Sequence, residues 1–203
     1  MKRILVLFMT CTACIRPPSL PTSSQYNVIG VLNDSTWFAT GKAIRLVKPK
    51  EQPNSVKQFN LQMITDINYP GNGSATRSPI ITGCLGECIP TQRLHVYNIP
   101  LKKGKFKLRK LDKARTVDLE RINYWLLING GGMNKNYHYE GRKPGWIRIT
   151  RYDPQSNTVE GAFSFDLDEN LKVYNRLINS MPLIARFRQG LFRVKIEDIK
   201  LKQ

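Results

Sequence analysis

Histidine and acidic residues are scarce in this 203-residue chain, which contains two His and 15 Asp plus Glu against 32 Lys plus Arg. The nucleophile elbow Gly-x-Ser-x-Gly, the phosphate loop, the zinc helix His-Glu-x-x-His and the dinucleotide fingerprint Gly-x-Gly-x-x-Gly are all missing. Few groups are therefore left for general acid–base chemistry. The sequence predicts a non-enzymatic protein with no catalytic residue, no metal site and no cofactor.

Long apolar runs are also missing, because the longest, Ile4–Met9, is far short of the roughly 18 residues of a membrane-spanning helix. It follows the basic pair Lys2–Arg3 and precedes small residues, which is the three-part pattern of a secretion signal. Cys14 follows Ala13 as in a lipobox, so we expect cleavage before Cys14 and lipid attachment to it. Cys11 is the alternative acceptor, and plain secretion without lipid is the alternative fate.

The leader divides the chain into three segments. Residues 1–13 are predicted to be a lipoprotein signal peptide, and residues 14–25 a flexible tether that contains three prolines and several serines. Residues 26–203 show no internal repeat and no second boundary, and their number suits one domain. Since no acidic residues follow Cys14, we expect anchorage in the outer membrane, on the periplasmic side rather than at the cell surface.

From residue 26 onward, apolar and polar residues alternate with period two, and turn residues separate the alternating runs. Short strands in this arrangement predict an all-β domain, an antiparallel β-sandwich or a small barrel-like sandwich. Two long loops are expected at Gly71–Ser78 and Asn129–Pro144. The predicted strands are Tyr26–Leu32, Trp37–Val47, Val56–Asn68, Arg93–Ile99, Lys105–Leu111, Tyr124–Ile128, Gly145–Tyr152, Thr158–Leu167 and Ile184–Ile199.

Cys84 and Cys88 form the most distinctive local pattern, Cys-Leu-Gly-Glu-Cys. In an exported chain a nearby pair of cysteines predicts a disulfide, and the central glycine lets so short a loop close. A thiol redox pair, a metal site and free thiols are the alternatives. The spacing is not that of thioredoxin-like sites, and neither His95 nor His138 is spaced to complete a zinc site with the cysteines.

Basic residues are concentrated in Lys102–Arg115, where eight stand against one acidic residue, within a chain of net charge +17. The sequence predicts a candidate anion-binding patch formed by Lys105, Lys107 and Arg109 on one strand face, together with Arg142 and Lys143 from a loop. Anionic lipid or an acidic glycan is the expected partner, and nucleic acid is not expected for an exported chain. A solvated sheet face, or lysines that protect an edge strand, is the alternative.

Two other stretches have weaker patterns. Aromatic side chains within Asn134–Trp146 could stack on a sugar or receive a peptide, and core packing is the alternative interpretation. Asp166–Asn170 offers oxygen ligands at alternating positions but lacks the spacing and glycine of a Ca²⁺-binding EF-hand loop, so a solvated turn is expected.

Three stretches resemble the uncharacterised β-sandwich domains of small Bacteroidetes-type lipoproteins. They are LNDSTWFATG (Leu32–Gly41), GWIRITRYDPQSNTVEGAFSFDL (Gly145–Leu167) and ARFRQGLFRVKI (Ala185–Ile196). The second stretch is the most specific, and the likeness extends in order from about residue 27 to 199. The resemblance implies a lipid-anchored all-β domain and carries over no catalytic residues.

The sequence thus favours a non-enzymatic, lipid-anchored cell-envelope protein whose β-sandwich binds or assembles through its loops, with an unknown ligand. The first alternative is a soluble exported, lipocalin-like β-barrel that holds a small ligand in a central cavity. A hydrolase acting on envelope polymers is the second alternative. A packed interior would favour the first hypothesis, and a hollow interior would favour the lipocalin-like one.

Overall fold

The computed structural model describes residues 18–69, 80–114, 120–128, 131–171 and 181–201. The predicted signal peptide, Cys11, Cys14 and the predicted loop Gly71–Ser78 lie outside these ranges. Across the described residues no helix is long and apolar enough to cross a membrane.

Ten strands, one short helix and a 3₁₀ turn at Pro53–Ser55 make up the regular structure of the described residues. The strands are β1 (Val28–Leu32), β2 (Ser35–Val47), β3 (Gln58–Thr65), β4 (Gln92–Pro100), β5 (Gly104–Lys107), β6 (Asn123–Ile128), β7 (Gly132–His138), β8 (Gly145–Asp153), β9 (Thr158–Glu169) and β10 (Ile184–Lys200). The helix α1 spans Leu108–Lys113.

These strands belong to one sheet, in the order β1-β10-β2-β3-β4-β6-β7-β9-β8-β5, with β1–β2 and β10–β9 as further pairs. The neighbours run antiparallel except β2 and β10, which are parallel. Each of β2, β3, β4, β6, β7, β9 and β10 pairs with two others of this group, so their pairings form a closed circuit. The predicted all-β fold is therefore confirmed.

Alternate side chains of the strands meet in one buried core. In β2 the inward residues include Trp37 and Ala39, and in β9 they include Phe163 and Phe165. The edges of the Trp37 and Tyr124 rings meet Phe187, with ring centroids 5.3 and 5.1 Å apart. Burial of each such side chain stabilises the fold by about 1.5–3 kcal/mol. Large side chains thus fill the interior of the sheet.

The secondary-structure prediction was wrong in two places. Gly132–His138 was assigned to a long loop but forms β7, because Asn134, Lys135 and Asn136 are buried there despite their polarity and give no apolar alternation. The predicted strand Lys105–Leu111 ends at Lys107, where α1 begins. Leu108 and Leu111 are three residues apart, so both lie on the buried face of this helix, which packs against β4, β5 and β8.

Candidate functional site

Two of the cavities at the surface of the described residues differ in chemistry. The mouth cavity, of about 510 Å³, opens at one end of the sheet between the β1–β2 turn and Met181–Pro182. The outer groove, of about 960 Å³, lies on the face of the sheet opposite the core and is lined mainly by apolar side chains. Its size falls within the usual range for small-ligand sites.

One cross-strand row of residues forms the track of the outer groove. Arg148 of β8 pairs with Ala162 of β9, and Ala162 pairs with Leu191 of β10. Leu191 pairs with Ile29 of β1, which pairs with Phe38 of β2. Residues paired directly across strands lie on the same face of a sheet. The track therefore runs from Arg148, which lies over the groove-lining ring of Trp146, to the aromatic ring of Phe38.

A bulge in β10 places Leu191 in this row. Pairing is interrupted between Phe187 and Gly190, where Gln189 adopts a φ of 51°. The inward residues are Ala185 and Phe187 before the bulge. After the bulge they are Phe192, Val194 and Ile196. A bulge inserts extra residues and so changes which face a side chain occupies. Leu191 consequently points outward, whereas uninterrupted alternation from Ala185 and Phe187 would point it into the core.

Two glycines beneath the groove, Gly190 and Gly30, are paired with the core residues Phe163 and Trp37. A Cβ atom on Gly190 would lie 2.4 Å from the Phe163 ring, so this position accepts only glycine. A Cβ on Gly30 of the neighbouring strand would lie 3.2 Å from the Gly190 Cα. On the groove face itself, the small side chain of Ala162 leaves space between the aromatic side chains on either side.

Aromatic rings stand at the two sides of the groove. On one side, Tyr26 stacks on Phe38 with 4.2 Å between ring centroids. On the other side, Trp146 lies beneath two cations, with the Lys105 Nζ 4.6 Å and the Arg148 guanidinium 5.8 Å from its ring centroid. Such contacts fix the position of cations and rings at a surface.

The N-terminal segment contacts the same region. Pro18 lines the outer groove. Leu20 is buried, and its carbonyl oxygen accepts a 2.7 Å hydrogen bond from Arg193 of β10. Residues 14–25 were predicted to be a flexible tether. Within their described part, residues 18–25, the chain therefore packs against the domain at Leu20.

The predicted anion patch is divided in the structure. Lys105 and Lys107 are on β5, but Arg109 is on α1, so the three do not form a row on one strand. Lys143 forms an ion pair with Asp168 at 3.7 Å, and Arg142 is exposed in the connection before β8. The nearest cross-strand partner of Lys105 is instead Arg148.

Cys84 and Cys88 are bonded to each other, with an S–S distance of 1.99 Å. The turn that they close is fixed to the domain by Asp66, whose carboxylate accepts hydrogen bonds from the backbone N–H groups of Thr82 and Gly83 at 2.9 and 2.7 Å. Burial raises the pKa of Asp66, but the hydrogen bonds from Thr82 and Gly83 outweigh it and hold the pKa below its usual value.

Gly83 connects this turn to the groove. Its φ is +63°, and a Cβ atom there would lie 2.7 Å from the Phe38 ring and 2.8 Å from the Tyr26 ring. The Thr40 hydroxyl also donates to the carbonyl oxygens of Gly83 and Cys84. The disulfide turn therefore supports the stacked pair at one side of the groove.

The mouth cavity ends on a satisfied polar network. The Oε1 atom of Gln92 accepts hydrogen bonds from Trp37 Nε1 and from the Tyr124 hydroxyl, both at 2.8 Å. Its amide donates to the carbonyl oxygen of Ile67. Burial raises the pKa of Tyr124 well above its usual value, so the hydroxyl stays protonated. This network holds the core together and leaves few groups for a ligand.

The remaining predicted positions are occupied by internal contacts. Tyr137 and His138 are buried, and His138 pairs with Glu140. Asp166 pairs with Arg188, while Asp168 contacts Lys143. No cluster of metal-ligating side chains occurs among the residues that the structure describes.

Sequence reasoning missed the apolar members of the groove, Ile29, Ala162 and Leu191. A signal for one of them is present, because Phe187 and Phe192 are five residues apart although both point inward. Inward residues of a regular strand are an even number apart, so this spacing requires a bulge.

These features define an all-β protein with a filled interior and an apolar groove on the outer face of its sheet. No protein-family model, no curated protein and no solved structure matches the chain. The argument for function therefore depends on the groove itself.

Proposed function

We propose that this chain is a non-enzymatic, lipid-anchored cell-envelope protein that binds an apolar ligand in the outer groove. The observation that carries the proposal is a cavity of about 960 Å³ lined by apolar residues on the solvent side of the sheet. Solvent faces of antiparallel sheets usually carry polar side chains. An apolar surface retained there marks a binding site.

The architecture supports an outer rather than a central site. The closed circuit of seven strands supports a small barrel-like closure of the sheet. Trp37, Tyr124 and Phe187 fill its interior, so a lipocalin-like central cavity gains no support. Membership of the lipoprotein group remains part of this proposal. The two longer stretches that resemble that group, Gly145–Leu167 and Ala185–Ile196, form β8, β9 and most of β10 beside the groove.

Fluorescence quenching tests the proposal. A brominated long-chain alcohol is titrated into the purified chain, and the bromine atoms quench tryptophans that they contact. We expect saturable quenching that persists in Trp125→Phe, because Trp125 lies on β6 outside the groove, and that falls sharply in Trp146→Phe. Absence of saturable quenching, or quenching that is unchanged in Trp146→Phe, would show that the outer groove is not the site.

A further inference from the structure

We propose that the ligand of the outer groove is an amphiphile with an acyl chain and an anionic head, and that the head binds between Lys105 and Arg148. This inference depends on the proposed function, because it assigns a ligand class to the same site. The cross-strand row gives the groove a direction, with cations at one end and the Tyr26–Phe38 pair at the other.

Among the residues that the structure describes, no carboxylate pairs with the cations at this end. Lys105 and Arg148 are adjacent across β5 and β8, and neither forms an ion pair with a described residue. Arg188 also lines the groove, but it pairs with Asp166, and Arg193 pairs with Glu160. Two adjacent, uncompensated cations favour an anionic group. The ring of Trp146 holds both of them at the edge of the groove.

The rest of the track is uncharged. From Arg148 the row continues through Ala162, Leu191 and Ile29 to Phe38. These positions span four inter-strand spacings of about 4.8 Å, roughly 19 Å in all. A linear apolar track of this length, with charge at one end only, is complementary to an extended acyl chain.

The same pairings disfavour a peptide as the ligand. A peptide strand that adds to a sheet needs a free edge with unpaired N–H and C=O groups. The track crosses β8, β9, β10 and β1, and each of these strands has a paired neighbour on both sides. A ligand there contacts side chains rather than backbone, which suits an amphiphile.

The experiment compares ligands that share one brominated chain and differ in the head. We expect the fatty acid to quench Trp146 at a concentration about tenfold lower than the corresponding alcohol, and a trimethylammonium analogue to bind more weakly than both. Since one exposed ion pair contributes roughly a factor of three, two such pairs give about tenfold. Raising the salt concentration should narrow the difference between acid and alcohol.

Two double variants separate local from general charge effects. Lys105→Gln/Arg148→Gln should weaken fatty-acid binding about tenfold and leave alcohol binding unchanged. Lys195→Gln/Lys200→Gln removes the same charge from exposed positions of β10 outside the groove and should change neither. If both double variants weaken the acid equally, net charge rather than the proposed head site is responsible, and the inference is wrong.

The outcomes also distinguish this inference from the proposed function. Equal binding of acid and alcohol overturns the anionic head but leaves an apolar site, whereas binding of neither overturns both. Brominated lysophosphatidylglycerol and lysophosphatidylcholine extend the test to phospholipids. Preference for the glycerol form supports a phosphate-headed lipid as the source and preference for the fatty acid supports a carboxylate, while tighter binding of the choline form contradicts the inference.

Discussion

His95 lies on the face of β4 opposite the core, under the edge of the Trp125 ring, with 4.9 Å between ring centroids. Its Nδ1 atom is 2.9 Å from the Tyr97 hydroxyl. Burial, with a smaller contribution from the positive charge of Arg93, lowers the pKa of His95 to about 4. The imidazole is therefore neutral at pH 7 and is packed between Tyr97 and Trp125.

The shift predicts that acid destabilises the fold through His95. The unfolded imidazole is protonated near pH 6.5 and the folded one only near pH 4, so the unfolded chain binds more protons between these values. The free energy of unfolding should fall as pH is lowered through this window, by up to about 3 kcal/mol. Urea denaturation at several pH values measures the free energy of unfolding. The dependence of this free energy on pH should be weaker in His95→Gln. An identical dependence of the free energy of unfolding on pH in both proteins would contradict the lowered pKa of His95.

At the same scale, the sequence predicts which residues face inward but not which residues cover one another. His95 and Trp125 are thirty positions apart and meet only because β4 pairs with β6. The cation pair of Lys105 and Arg148 likewise depends on the pairing of β5 with β8. Alternation along a strand contains no information about the partner strand, so neither contact could be derived from the pattern.

Among the elements, the disulfide turn between β3 and β4 connects a covalent constraint to the groove. Asp66 and Thr40 hold its backbone, and Gly83 packs against Tyr26 and Phe38. Entropy alone gives so small a disulfide loop about 2 kcal/mol of stabilisation. Its larger effect is local, because it restricts the residues on which the stacked pair rests.

Cys84→Ser/Cys88→Ser should therefore loosen this turn more than the rest of the sheet. We expect the amides of Thr82 and Gly83 to exchange hydrogen faster, the amides of β6 to change little, and quenching of Trp146 by a brominated ligand to weaken. Asp66→Asn is the matched variant, since it keeps the disulfide but removes the carboxylate that both amides contact. Exchange that stays unchanged at Thr82 in both variants would refute the coupling.

Elements with regular alternation could be predicted, and those without it could not. β9, most of β10 and all of β2 except its buried Arg45 have apolar residues or glycine at the inward positions, and their strands were predicted. β7 buries polar side chains because Lys135 pairs with Glu169 and the Tyr137 hydroxyl donates to the carbonyl oxygen of Pro182. These compensating contacts come from a segment more than thirty residues away, so local sequence gives no sign of them.

For the molecule as a whole, the seventeen-residue strand β10 is the central element. It pairs with β1, β2 and β9, and so joins the first strands of the domain to the last. It also contributes the bulge and Leu191 to the groove. Closure of the circuit and formation of the groove thus depend on the same strand.

The position of Pro18 relates the groove to the proposed anchor. Cys14 is four residues before Pro18, and a chain of four residues spans at most about 14 Å. Since Pro18 lines the groove, lipid on Cys14 would hold the groove close to the membrane surface. An anionic amphiphile from that membrane would then be near its binding site.

The anchor itself is tested by metabolic labelling with a palmitate analogue. We expect the label and the membrane-bound fraction to be lost together in Cys14→Ala and to persist in Cys11→Ala. The physical reason is that each buried methylene contributes about 0.8 kcal/mol, so several acyl chains on one cysteine give lasting attachment. If the Cys14→Ala protein stays labelled and membrane-bound, the lipid is attached at Cys11 or the protein is held by another contact, and the assignment to Cys14 is wrong. Ligand binding in the groove by the purified variant should be unchanged, because the groove is built from residues 18 onward.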